Sequence, residues 1–268
     1  MLSPIMWNGE SGTGFNRLKR NMKKLTIHII ISIITGSFLF LAGCEPDRCF
    51  HGTGTETQME VETGFFDKMN VYGLFTIILV EDSSCYVEFE GGEKMLEYVE
   101  AKATDSVLRL DNYNSCFFLK DYEKVIAYVH FQALNRVNLF EVCKLVSYDS
   151  LSALRSLTMQ AEMAEVDLLL NTESFSFYNN RTTGGIYTFS GYADRCWISG
   201  FYTAKFTLED FVARDYYVSN SSLSDMYVNA TEKLTVKILH DGNIYYSGSP
   251  EIIIDSISGN GRLLPWVE

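Results

Sequence analysis

From Val146 to Tyr246 the chain repeats itself every twenty residues. Val146 is followed at that interval by Val166, Ile186, Phe206 and Met226. A second column starts at Leu157 and runs through Phe177, Trp197 and Tyr217, and a third links Tyr178, Ile198, Val218 and Ile238. With 47% of residues apolar, one such column could arise by chance. Three in phase on short β-rich runs point to a solenoid of stacked coils. Turn-formers punctuate the columns at Asp149-Ser150, Gly184-Gly185, Ser199-Gly200, Asn220-Ser221-Ser222 and Asp241-Gly242. Gly and Asn tolerate the positive φ of sharp corners, which explains their recurrence there. Stacked coils place equivalent side chains ~4.8 Å apart, so each column is expected to bury against itself. The repeats are placed at residues 133–268.

Residues 63–132 read as strands without the period. Val71 to Val80 is β-branched and aromatic, and Tyr86-Val87-Glu88-Phe89-Glu90 alternates strictly after an Asp82-Ser83-Ser84 turn, a pattern that predicts a hairpin. A helical turn or two is expected over Glu93 to Val99, with further strands at Val107 to Leu110 and Val125 to His130. A coil stack needs its terminal edge covered, so this region is expected to cap one end.

Upstream of that, residues 1–43 carry Arg17, Lys19, Arg20, Lys23 and Lys24 against one acid, Glu10. Lys23-Lys24 precedes the apolar run Leu25 to Leu41, which ends in Leu41-Ala42-Gly43-Cys44. A basic flank, an apolar stretch and small residues before a cysteine resemble the signal peptide and lipobox of bacterial lipoproteins. The resemblance implies cleavage before Cys44 and acylation of its thiol, so that the lipid anchors the chain in a membrane. Translation could begin at Met1 or at Met22, immediately before Lys23. Residues 44–62 are polar and aperiodic and read as a flexible tether.

Net charge is −12 for the whole chain, and removal of residues 1–43 leaves 17 basic against 33 acidic side chains, or −16. That disfavours nucleic acid, whose affinity comes mostly from Lys and Arg on phosphate. Of the six cysteines, Cys49, Cys85, Cys116, Cys143 and Cys196 remain beyond Cys44, widely spaced and without a CxxC pair. Zinc ligation is not indicated. An exported chain permits disulfides, but the pairing of five cysteines cannot be read, and most are expected to be buried thiols.

Near the C-terminus, Gly242, Asn243, Ile244, Tyr245, Gly248 and Pro250 form a Gly-Asn-Ile-Tyr-x-x-Gly-x-Pro run, followed by Ser258, Gly259 and Gly261 in a Ser-Gly-x-Gly turn. These motifs resemble the auto-transporter adhesin, head GIN domain family found on Bacteroidetes-type lipoproteins. The likeness covers about residues 63–265, and departs from the family where Ser199-Gly200-Phe201 and Asn220-Ser221-Ser222 replace its Ser-Gly-Ser-Gly corners. It implies a right-handed parallel β-helix, shaped like the pectin lyases but without their catalytic residues, and a role in adhesion.

No catalytic constellation or cofactor site is read from the residues. Asp194 and Arg214 share a phase one coil apart and are expected to form a surface ion pair. Asp215 and Asp225 differ in phase and make no carboxylate pair for glycoside hydrolysis. Ser199-Gly200 lacks the G-x-S-x-G frame of a nucleophile elbow. His240 stands before a turn and is expected to face solvent. Aromatics are the candidates for recognition: Tyr187, Tyr202, Tyr216, Tyr227 and Tyr245 could line an outer stripe on which sugar rings or a peptide stack, or simply pave the coil. The expectation is a non-catalytic, lipid-anchored protein of the bacterial cell envelope, on the outer membrane with its surface exposed. Its expected partners are the membrane and a glycan or a host or cell-surface protein. Two alternatives stand beside it: a carbohydrate-active enzyme on the same scaffold, and a structural envelope component.

Overall fold

The computed structural model describes residues 53–114, 125–152, 154–179 and 184–266. Cys44, Cys49, Cys116 and the leader lie outside the described residues. Strands dominate, because β-branched and aromatic residues alternate with polar ones almost throughout. The chain opens with β1 (Glu56–Glu62), β2 (Lys68–Tyr72), β3 (Thr76–Glu81) and β4 (Tyr86–Gly92). A single-turn helix, α1 (Glu93–Leu96), leads to β5 (Val99–Thr104) and β6 (Val107–Asn112). Then come β7 (Ile126–Phe131), β8 (Arg136–Leu139), β9 (Cys143–Ser147) and β10 (Ser156–Ala161). The longer elements β11 (Ala164–Asn179), β12 (Ile186–Tyr202), β14 (Phe211–Ser222) and β15 (Met226–Ile238) bend around corners, with the short β13 (Lys205–Thr207) among them. The last are β16 (Ile244–Ser247), β17 (Glu251–Ile257) and β18 (Leu263–Pro265).

The sheet winds as a parallel β-solenoid of about six turns. Each turn carries two broad faces. One is built by β10 and by the second halves of β11, β12, β14 and β15, ending in β17. The other runs from β9 through the first halves of β11, β12 and β15, with β13, β16 and β18 completing it. The contacts between turns are parallel ladders, in register except for shifts at Ala213/Asp215 and Val236/Lys237. Along each continuous stretch, a residue's facing is therefore inherited from the turn beside it.

The inward columns follow from those ladders. On the first face, Leu108, Met69, Val137, Met159, Phe177, Ile198, Val218 and Val236 stack in succession. On the second, Ala127, Ile77, Leu145, Val166, Tyr187 and Phe206 do the same. All of these are buried. Aromatic rings fill the middle of the solenoid: Phe175 meets Phe189 edge-on at 4.8 Å, and Phe177 lies 4.6 Å from Tyr187 and 5.8 Å from Phe206. At the C-terminal end the last turn leaves Ile252, Ile254 and Ile257 exposed.

The period averages twenty but is not constant, and this corrects the columns expected from sequence. Val166 pairs with Tyr187, twenty-one residues on, rather than with Ile186, which stands 51% exposed. Val146 also faces outward, paired with Ile78 and Asp167. Leu157 pairs with Phe175, and Trp197 and Tyr217 share an outward column. Tyr178 faces out, whereas Ile198 and Val218 face in, and Ile238 pairs with Asn220. The cause is the corners, whose lengths differ by one to three residues. Because strand side chains alternate, a shift of one residue moves a side chain to the opposite face.

Residues 63–132 contribute coils as well as cover. β2 and β3 stack in parallel on β8 and β9, and β6 and β7 stack on the far side of β2 and β3. Antiparallel strands then extend both faces: β5 pairs with β6, and β4 lies between β1 and β7. Met95 and Leu96 of α1 are buried beside them. The expected hairpin over Val71 to Glu90 does not form, since Gly73, at φ +94°, turns a corner between β2 and β3, and β7 separates β3 from β4. Strand alternation reports that a strand is half-buried, not which strand it pairs with. A two-residue turn at Asp105-Ser106, both at positive φ, joins β5 to β6 instead.

The register predicts unequal costs for two isoleucines that the twenty-residue spacing treats alike. Ile198→Ala should lower stability by ~2–5 kcal/mol, and Ile186→Ala by no more than ~0.5 kcal/mol. Urea unfolding of the two variants checks this, and equal losses would contradict the ladder.

Candidate functional site

Outward residues of the first face form two adjacent columns. One is Thr158, Ser176, Trp197, Tyr217 and Thr235; the other is Gln160, Tyr178, Ser199, Ser219 and Lys237. Between them lies a shallow cleft of about 460 Å³, lined by Gln160, Ser176, Tyr178, Trp197, Ser199 and Phe201 among others. Trp197 is 39% and Tyr178 41% exposed, large values for rings of that size on a folded surface. The Tyr178 hydroxyl donates to Gln160 Oε1 at 2.6 Å, which lays the phenol along the ladder and fixes it. At the rim, the backbone N–H of Phe201 donates to Asn179 Oδ1 at 2.8 Å, and Asn179 Nδ2 donates to the Phe201 carbonyl at 3.2 Å. Asn179 is fully buried, so this corner is held from inside the coil.

Sequence reasoning missed this cleft because it assigned Trp197 and Tyr178 to inward columns. The signal was present in Arg195-Cys196-Trp197-Ile198-Ser199. There Cys196 and Ile198 alternate with two polar residues, and Trp197 shares the phase of the polar ones.

Of the five tyrosines expected to form an outer stripe, only Tyr227 and Tyr245 are brought together. Tyr187 is wholly buried and its hydroxyl donates to the Glu162 carbonyl at 2.8 Å; burial pushes its phenol above the ordinary range. Tyr216 is also buried, beside Cys196 in the ladder. Neither can meet a ligand, because the alternation that exposes Trp197 and Tyr217 turns Tyr216 inward. Tyr202 is 58% exposed at the corner ending β12, with φ +55°. Tyr227 and Tyr245 stack on each other at 4.7 Å with planes 9° apart, and Trp266 meets Tyr227 edge-on at 5.6 Å. Those rings form an aromatic ladder that braces the last turns.

The motif residues near the C-terminus build corners. Ile244 is a core residue and Tyr245 belongs to the ladder just described. Gly248 sits at φ +92°, where a Cβ would fall 2.1 Å from the Ala230 carbonyl oxygen. A Cβ on Gly242 would fall equally close to the Ser224 carbonyl. Asn243 bonds Asp225 Oδ1 through its backbone N–H at 2.7 Å, and its own Oδ1 accepts the Arg262 N–H at 2.9 Å. Ser258 N–H donates to the Ile238 carbonyl, and Gly259 and Gly261 pass close to His240 and Gly242. Pro250 stands just before β17. The preceding corner depends on Asn220, fully buried, whose Nδ2 donates to the carbonyls of Ser224 (3.0 Å) and Asn243 (3.2 Å). Its Oδ1 accepts from the Ser222 N–H and hydroxyl at 2.9 and 2.7 Å.

Several charged residues form surface pairs. Arg214 lies 3.4 Å from Asp215, 3.8 Å from Glu232 and 4.0 Å from Asp194, so the expected Asp194 pair is one arm of a cluster. Its members are all substantially exposed, and such pairs contribute ~0–1 kcal/mol. His130 Nδ1 lies 3.0 Å from Asp82 Oδ2 beneath a stacked Tyr86 ring, and the Asp82 carboxyl is held below its ordinary value chiefly by that bond. His240 is about half exposed. Cys85, Cys143 and Cys196 are buried free thiols. Burial pushes the Cys143 thiol up to about 12 and raises that of Cys196 as well.

Coils stacked in this way around a ring-filled interior define a parallel β-solenoid. The sequence matches the family described as "Putative auto-transporter adhesin, head GIN domain" over residues 65–250, and the chain belongs to that family. Its fold is similar to that of a putative adhesin from Bacteroides fragilis (TM-score 0.71, 17% identity, covering 79% of this chain and 97% of the other). A protein from Parabacteroides distasonis described as a putative lipid binding protein is also similar (0.60, 17%, 81% and 98%). So is a putative adhesin from Parabacteroides merdae (0.55, 17%, 81% and 98%). No curated protein matches the sequence.

Two outcomes follow for the corners and thiols. Asn220→Ala should cost ~1–3 kcal/mol for each buried group left without a partner; urea unfolding reads the loss, and an unchanged midpoint would show that the amide is dispensable. Iodoacetamide at pH 8 should leave Cys143 and Cys196 unmodified in the native protein, because a raised thiol pKa leaves almost no thiolate there. Peptide mass spectrometry should find both alkylated once the chain is denatured.

Proposed function

We propose that the protein is a non-catalytic adhesion module of the bacterial cell envelope, anchored by lipid on Cys44 at the outer membrane. The residues between Cys44 and β1, whose first residue is Glu56, serve as the tether that holds the solenoid away from the bilayer. This tether is shorter than the 44–62 expected from sequence, because Glu56–Glu62 pairs with β4. The observation that carries this reading is the exposed pair Trp197 and Tyr178 on a face made rigid by continuous ladders. The acids of the neighbouring coils meet at Arg214. Family membership supports adhesion, and Leu41-Ala42-Gly43-Cys44 behind an apolar run supports the anchor. A rigid face suits adhesion because little conformational entropy is lost when a partner docks.

The anchor is tested by expressing the full chain and a Cys44→Ala variant in a bacterium that processes lipoproteins, with an alkyne fatty acid in the medium. The full chain should take up label and sediment with membranes. The variant should lose the label and, if its leader is cleaved, move to the soluble fraction. Label persisting on Cys44→Ala would overturn the lipid attachment.

A further inference from the structure

We infer that the cleft between the two outward columns binds a neutral saccharide, of one or two pyranose rings, with Trp197 as its stacking platform. The inference rests on reading the chain as a binding module. Its volume of about 460 Å³ lies within the ~300–1,000 Å³ of ordinary small-ligand sites. Its chemistry is narrower than its size. Trp197 and Tyr178 offer flat π-faces, against which the C–H face of a sugar ring can lie. Around them stand the hydroxyls of Ser176 and Ser199 and the amide of Gln160. A hydroxyl both donates and accepts, as each sugar hydroxyl does, and Gln160 engages Tyr178 through its oxygen, leaving the amide NH2 as a donor.

Other ligand classes fit less well. Among the described residues no charged side chain lines the cleft, although the chain as a whole is strongly acidic, so a uronic or sialic acid finds no counter-charge among them and a basic peptide no carboxylate. A peptide adding as a strand needs an open backbone edge. Here the second half of β11 is paired with both β10 and β12, and that of β12 with both β11 and β14. An acyl chain needs an enclosed apolar channel, whereas the solenoid interior is filled by rings such as Phe175, Phe177 and Phe189. What remains is a neutral, polyhydroxylated ring with one apolar face. The cleft is shallow, so single-site affinity is weak, and adhesion gains strength from many anchored copies acting together.

The test uses the full lipidated chain in detergent micelles on an array of neutral, sialylated and uronate glycans, with Kd for the best hit then measured by titration. Binding should be confined to neutral glycans. Trp197→Ala should weaken it about tenfold or more, Gln160→Ala should weaken it several-fold, and Ile186→Ala, on the other broad face, should leave it unchanged. Equal thermal unfolding of the variants shows that they are folded; if Trp197→Ala is not, Gln160→Ala decides. Retention of anionic glycans or empty detergent-lipid alone, or neutral binding indifferent to both cleft substitutions, would overturn the saccharide site. Adhesion of cells displaying the chain, measured in parallel, separates the two readings. Adhesion without neutral-glycan binding sinks this inference and spares the module, and loss of both sinks the module with it.

Discussion

The parallel backbone ladder between successive turns is the constraint on which the rest of the molecule depends. Each internal strand of the solenoid is hydrogen-bonded to the turn before and the turn after, so the facing of a single residue propagates along the whole column. The interior must then be filled by what that facing selects. Phe177 sits against Tyr187 and Phe206, and Phe175 against Phe189 and Phe211, so rings from both faces meet across the centre. No single turn encloses enough apolar surface to persist alone, and stability is shared among neighbours.

Corners carry the polar cost of that arrangement. Where the backbone leaves a ladder, its amides and carbonyls would be stranded inside the coil, and buried asparagines take their place. Asn179 satisfies both backbone groups of Phe201, and Asn220 bridges Ser222, Ser224 and Asn243. The glycines and Asn243 of the C-terminal motifs belong to this same class of device. They mark the positions where the chain must turn tightly under a neighbouring carbonyl, and they are remote in kind from a ligand site. That is why a strong family motif can identify a fold and still be silent about what the protein holds.

The outer faces are under weaker constraint, and function has room there. Successive coils set Ser176, Trp197 and Tyr217 side by side without any packing need for an indole at the centre. An exposed ring that contributes little to the core is a candidate for recognition, and its neighbours decide what is recognised. Around Trp197 those neighbours are uncharged hydroxyls and an amide, whereas around Arg214 they are carboxylates.

Much of this was legible in the order of residues. The recurrence near twenty, with Gly and Asn between apolar runs, determined a solenoid, and the family suggested by the Gly242 to Gly261 motifs is the one whose match spans residues 65–250. Buried thiols at Cys143 and Cys196 and the Asp194–Arg214 neighbours were likewise foreseeable from phase and composition. Only the tertiary structure decided which residues face in. Corners between Val166 and Tyr187, or between Leu157 and Phe175, differ in length by one to three residues, and alternation turns an odd difference into a reversal of face. Ile186 and Trp197 thereby pass to the surface and Tyr187 to the core, and β7 comes to lie between two strands that follow each other in the chain. Local pattern determines that a strand has one wet side. Which side it is, and which strand lies next to it, is settled only when the coils close on one another.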